Sequence, residues 1–60
     1  MTGEDVRAIR KRLGLTHRSL AEAMGYEPNA MRRIRRIEDG IDPVTPQFAE
    51  RLRQMQEQRT

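Results

Sequence analysis

Apolar residues recur along this 60-residue chain at spacings of three and four, separated by polar stretches that contain glycine, proline or threonine. Such spacings place side chains on one face of a helix, and no stretch alternates as a strand would. The pattern predicts four helices, over about residues 3–13, 16–24, 28–39 and 45–56, with a fraying polar tail. Because the predicted connections are short, we expect one all-α, compact four-helix domain over residues 1–60.

Residues suited to helix termini flank the predicted helices. The candidates for helix starts are Thr2, Thr16, either Pro28 or Asn29, and Thr45. Three helices stop at a glycine suited to the left-handed position after a helix: Gly14, Gly25 and Gly40. Methionines at core spacing are expected to fill the interior: Met24, Met31 and Met55. These assignments make the four helices one packed unit.

Predicted helix 3 carries four arginines within five positions: Arg32, Arg33, Arg35 and Arg36. Met31, Ile34 and Ile37 lie three residues apart and are expected to face the core. At about 100° per residue, Arg32 and Arg36 then point away from the core, and the other two arginines lie on its flanks. No glutamate stands four residues from any of them. An arginine face with an apolar back suits a polyanion such as nucleic acid, whereas a merely solvated face is the alternative.

The composition narrows the class of function. Lysine and arginine total 12, and aspartate and glutamate total 9, for a net charge of +3. Eleven of the twelve basic residues are arginine, which recognises phosphate and guanine bidentately, although a GC-rich genome would also favour arginine codons. With one histidine, no cysteine and no room for a large cleft, we expect neither an enzyme nor a metal or cofactor site. Without an apolar span or signal segment, a cytoplasmic protein with no membrane contact is expected.

Two segments resemble the helix-turn-helix of the Cro/Xre, phage-repressor-like family. The first comprises Leu13-Gly14-Leu15-Thr16, Leu20-Ala21 and Met24-Gly25, and the second is Ile34-Arg35-Arg36-Ile37-Glu38-Asp39-Gly40. The resemblance covers roughly residues 9–40 and implies a lambda-repressor-like fold with helix 3 as the recognition helix. About three residues more than the family pattern lie before the Glu-x-Gly ending, either in the turn around residues 26–29 or in helix 3.

The resemblance implies a sequence-specific regulator of transcription that binds double-stranded DNA. We expect a homodimeric repressor whose recognition helices enter successive major grooves of an inverted repeat, on the nucleoid, with no small-molecule ligand. Small proteins of this kind often regulate their own operon in phages or mobile elements, by analogy of fold. The alternative is a protein-interaction module, such as an antitoxin or adaptor that binds an acidic partner.

Site residues follow from the outward positions and from the resemblance. Base contacts are expected from Asn29, Arg32, Arg33 and Arg36. Phosphate contacts are expected from Thr16, His17, Arg18 and Arg35. The resemblance implies a structural ion pair between Arg10 and Glu38. A dimer interface is expected from Ile41, Val44, Phe48, Leu52 and Met55. Tyr26 is expected to pack in the turn with its hydroxyl in water, with a DNA contact as the alternative.

Overall fold

The structure is a computed structural model that describes residues 1–58 and, of Pro28, only the backbone. The described chain contains α1 (Gly3–Arg12), α2 (His17–Ala23), α3 (Met31–Glu38) and α4 (Pro46–Gln58), with a 3-10 turn over Pro28–Ala30. Within residues 1–58 there is no strand, so the all-α class and the four helices are confirmed. None of the helices in this range combines the length and apolar character needed to cross a bilayer.

Threonine side chains cap three of the helices, as the sequence predicts. At α1, Thr2 Oγ1 accepts from the backbone N–H of Asp5 at 3.2 Å, and Asp5 Oδ2 accepts from Thr2 N–H at 2.8 Å. These reciprocal hydrogen bonds form a capping box, and the bond from the Thr2 backbone is the main reason that the pKa of Asp5 lies below its ordinary value. Thr16 and Thr45 accept equivalent bonds at the starts of α2 and α4. Local hydrogen bonding therefore fixes where these helices begin.

Eight side chains from all four helices form the buried core: Val6, Leu20, Ala21, Met24, Ile34, Ile37, Phe48 and Leu52. Phe48 and Leu52 were expected to cover the core and also to contribute to a dimer interface; both are buried within the single chain, so they offer almost no surface to a second copy. A domain this small depends on most of its large apolar side chains for its own core. Val44 and Met55 are only partly buried against that core.

Met31 lies outside the core, with 41% of its surface exposed, so its predicted core position is wrong. Positions spaced by three drift by about 60° per step around a helix. With Ile34 and Ile37 both buried, the inward direction lies between them, and Met31 falls roughly 90° away at the edge of the apolar face. The apolar back of α3 is therefore narrower than the sequence pattern indicates.

The N-terminus of α1 packs closely against the C-terminus of α3. A Cβ atom added at Gly3 would overlap the backbone oxygen of Ile37 and would lie 2.8 Å from the backbone oxygen of Glu38. Only a residue without a side chain allows this approach. The contact fixes the end of α3, from which the following loop departs.

The connection from α2 to α3 contains the 3-10 turn, so the α-helical part of helix 3 begins at Met31 and not near Pro28. The 3-10 turn over Pro28–Ala30 therefore lies ahead of α3, which itself has eight residues. At the other end of the chain, α4 continues to Gln58, past the predicted end at residue 56. The remaining tail residues, 59 and 60, lie outside the described residues.

Candidate nucleic-acid interface

The outer face of α3 presents exposed arginine side chains over a buried apolar back. Arg32, Arg33 and Arg35 are exposed, and their side chains have no hydrogen bond or ion pair with another residue of the described chain. Ile34 and Ile37 anchor the opposite side of the same helix in the core. Because those anchors fix the rotation of the helix, three guanidinium groups remain directed to solvent.

Arg36 differs from its neighbours because it has an acidic partner. Its Nε lies 3.0 Å from Asp42 Oδ2, and its Nη2 lies 3.4 Å from Oδ1. The expectation that these arginines lack acidic partners is therefore wrong for Arg36, whose pKa is raised by this hydrogen bond and the attraction of the carboxylate. Asp42 lies six residues away, outside the helical spacings that the sequence analysis considered.

The loop after α3 places Asp42 beside Arg36. Gly40 adopts a φ of +80°, which reverses the chain at the end of the helix. The N–H groups of Ile41 and Asp42 then donate to the backbone oxygen of Arg36, at 2.9 and 3.3 Å. Backbone hydrogen bonds therefore hold the Asp42 carboxylate near the arginine independently of the side-chain pair.

An ion pair joins α1 to α3, as the resemblance implies. Arg10 Nε and Nη2 donate to Glu38 Oε2 and Oε1 at 2.8 and 3.2 Å, and Arg10 Nη1 donates to the Leu15 backbone oxygen at 2.9 Å. The side chains of Arg10 and Glu38 are 11% and 4% exposed. Arg10 therefore braces the structure and is not available to a ligand.

His17 lies beside this ion pair at the start of α2. Its Nε2 is 3.3 Å from Glu38 Oε1 and its side chain is 32% exposed, so the imidazole faces α3 and keeps part of its surface toward solvent. The carboxylate of Glu38, at the end of α3, thus contacts Arg10 from α1 and His17 from α2. Through this cluster, the start of α2 is held at a fixed distance from the arginine helix.

Two other predicted phosphate contacts lie at the start of α2. The Thr16 hydroxyl accepts a hydrogen bond from Ser19 N–H at 3.0 Å and donates one to the Ser19 hydroxyl at 2.9 Å. Both bonds belong to the cap of α2. Arg18 is 67% exposed, and its Nε lies 3.5 Å from Glu22 Oε1. Exposed pairs of this kind contribute little to stability and separate easily, so Arg18 remains accessible to a ligand.

A groove of about 560 Å³ runs beside α3, on the side toward the start of α4. Apolar atoms of Ile34, Ile37 and Phe48 contribute to its floor, and Asn29 and Arg33 stand at its edge. Tyr26, 41% exposed, lines the same groove. Two of the predicted base-contacting residues therefore flank an apolar depression next to the arginine face.

Of the predicted dimer residues, Ile41 offers the largest free surface, at 61% exposure. It follows the Gly40 turn and stands apart from the buried core. Among the described residues, no group of three or more histidine or carboxylate side chains lies close enough together to hold a metal ion.

No protein-family model, curated protein or solved structure matches this chain. The function is therefore inferred from the geometry and charge of the site.

Proposed function

We propose that this chain is a sequence-specific double-stranded DNA-binding protein in which α2 and α3 act as a helix-turn-helix of the Cro/Xre type. The observation that carries the proposal is the arginine face of α3, where Arg32, Arg33 and Arg35 are exposed and unpaired. Like charges on adjacent turns repel and destabilise a free helix. A phosphate-rich ligand removes that repulsion, so the arrangement favours a polyanionic partner.

The dimensions of α3 suit the major groove of B-DNA. An α-helix with its side chains is about 10–12 Å across, and the eight residues of α3 span about 12 Å along its axis. The major groove is about 12 Å wide and about 8.5 Å deep, which admits a helix with its side chains. In this arrangement Arg32 and Arg36 read base edges, Arg33 and Asn29 contact bases on the adjoining flank, and Arg35 and Arg18 bind phosphate.

The small size of one chain favours a homodimeric repressor. Two successive major grooves on one face of DNA lie about 34 Å apart, which is beyond the reach of a single eight-residue helix. Two copies that pair through Ile41, Val44 and Met55 would place one α3 in each half of an inverted repeat. Occupation of a promoter by such a dimer would block polymerase.

Selection of bound duplexes from a random library tests the proposal directly. We expect an inverted repeat, and we expect Arg32→Ala to weaken binding to the selected duplex by about 1–3 kcal/mol with relaxed preference at one base pair. Arg18→Ala should weaken binding to selected and scrambled duplexes alike. Arg7→Ala, an equal change of charge on α1, serves as the control and should have the smallest effect.

Recovery of no preferred sequence would refute sequence-specific binding. Equal losses for Arg32→Ala and Arg18→Ala on every duplex would refute the division into base and phosphate contacts. A salt series adds a second criterion, because binding through several phosphates weakens steeply and linearly in log affinity against log salt.

The groove beside α3 supports a second candidate function, an adaptor that binds an acidic protein segment. Its apolar floor includes Ile34 and Phe48, and the unpaired Arg33 at its edge could bind a carboxylate. Such a module would show no duplex preference at moderate salt. Substitution of Phe48 is unsuitable as a test because it is a core residue, so Tyr26→Ala, at an exposed residue of the groove lining, is the better variant. Loss of partner binding with unchanged DNA binding would favour the adaptor.

A further inference from the structure

We infer that Asp42 is a positioning residue that orients Arg36 for the recognition of a guanine base. This inference rests on the proposed DNA-binding function and adds to it a residue that fixes specificity without touching the base. The observation behind it is the two-point contact of the Asp42 carboxylate with Nε and Nη2 of Arg36, at 3.0 and 3.4 Å.

The geometry of the guanidinium group leaves its reading edge free. The group carries five N–H bonds, and the contact with Asp42 uses one on Nε and one on Nη2. Both N–H bonds of Nη1 and the second of Nη2 stay available. The pair Nη1 and Nη2 forms the end of the arginine fork, which matches the O6 and N7 acceptors of guanine.

The loop holds the carboxylate in place before any ligand arrives. Its backbone is fastened to α3 through the bond from Asp42 N–H to the Arg36 backbone oxygen, which the turn at Gly40 allows. The side chain of Arg36 is still 57% exposed, so the contact restricts its rotation without covering it. An arginine fixed in this way loses less rotational freedom when it binds a base.

Charge alone predicts the opposite effect for this residue. The Asp42 carboxylate repels phosphate, so its removal should strengthen binding to every duplex if it serves no positioning role. Positioning predicts instead that binding to the selected duplex weakens relative to a scrambled one. The ratio of the two affinities therefore separates the explanations: charge alone leaves it unchanged, and positioning lowers it.

The experiment compares the ratio of affinities for the selected and scrambled duplexes in wild type, Asp42→Asn, Arg36→Ala and the double variant. We expect Asp42→Asn to lower that ratio about two- to tenfold, with scrambled binding equal or tighter. The loss should be confined to the base pair that Arg36→Ala also affects. In the Arg36→Ala background, Asp42→Asn should leave the ratio unchanged.

Asp39→Asn is the matched control, because Asp39 is an exposed acid near the end of the same helix with no side-chain partner among the described residues. It changes the charge equally and should leave the ratio at the wild-type value. In the free protein, the NMR signal of the Arg36 Nε–H should exchange with water faster in Asp42→Asn than in Asp39→Asn. That signal reports the side-chain contact without any DNA.

An unchanged or higher ratio in Asp42→Asn would overturn the inference, as would an equal loss in the Arg36→Ala background. Either result would leave sequence-specific binding by the wild type intact. If the wild type itself binds the two duplexes equally, the proposed function fails and the inference fails with it.

Discussion

Replacement of Arg10 tests how strongly the ion pair between α1 and α3 holds the fold. Arg10→Met keeps an aliphatic side chain of similar length and removes the guanidinium. Glu38, 4% exposed, would retain only His17 beside its carboxylate, and the Leu15 backbone oxygen would lose its donor. An uncompensated buried charge is costly because neither water nor a partner stabilises it.

The magnitude follows from the burial of the pair. Loss of one partner from a buried ion pair destabilises a protein by about 3–5 kcal/mol. We expect about 3 kcal/mol, the lower end, because His17 remains 3.3 Å from Glu38. A chain of 60 residues has a total stability of roughly 3–9 kcal/mol, so the variant should be close to unfolding at 25 °C.

Urea unfolding followed by helical circular dichroism measures this loss as a lower midpoint with an unchanged slope. Repetition in a Glu38→Leu background is the control, because no buried carboxylate remains there and Arg10→Met should cost much less. A loss below about 1 kcal/mol in the wild type, or equal losses in both backgrounds, would show that the pair contributes no coupled stability.

Four further predictions concern other parts of the chain. Gly3→Ala should destabilise by about 1–3 kcal/mol in urea unfolding, because two backbone oxygens of α3 leave no room for a Cβ; a gain would show that α1 shifts freely. Leu52→Ala, at a fully buried site, should cost about 2–5 kcal/mol in the same assay. The capping contribution of Asp5 is complete above its ordinary pKa of 3.8 and is lost as the pH falls through its lowered folded pKa. The stability difference between wild type and Asp5→Asn should therefore shrink in acid, and a constant difference would contradict the role of its charge. Arg32→Gln should raise the stability of the free protein by a few tenths of a kcal/mol at low salt, an effect that high salt removes.

Local hydrogen-bonding chemistry made the helix starts predictable from the sequence. Thr2, Thr16 and Thr45 each accept the bond that a helix start requires, and these bonds depend on residues no more than three positions apart. The glycine-terminated ends are predictable because Gly14, Gly25 and Gly40 each adopt a positive φ, which favours glycine after a helix. Boundaries that depend on chain geometry over a longer range, such as the 3-10 turn before Met31, were not.

Long-range packing decided the positions that the sequence analysis left open or placed wrongly. Phe48 and Leu52 have the spacing of an amphipathic helix, but spacing does not reveal whether the apolar face meets its own chain or a second copy. Met31 has core spacing and is excluded only by the rotation that burial of Ile34 and Ile37 imposes on α3. His17 faces Glu38 because three helices meet there, which no local pattern encodes.

The pairing of arginines with acids separates structural arginines from those that remain available. Arg10 is paired with the nearly buried carboxylate of Glu38, and Arg36 is paired with Asp42 in the loop after α3. The sequence has no acidic residue between positions 31 and 37. Four arginines share α3, while further exposed arginines lie on α1, α2 and α4: Arg7, Arg12, Arg18, Arg51 and Arg53. If Arg18 and Arg35 of each copy neutralise phosphates, the slope of log affinity against log salt should approach roughly −1.8 for each copy bound. A slope near zero would mean that this local excess of positive charge serves a purpose other than binding DNA.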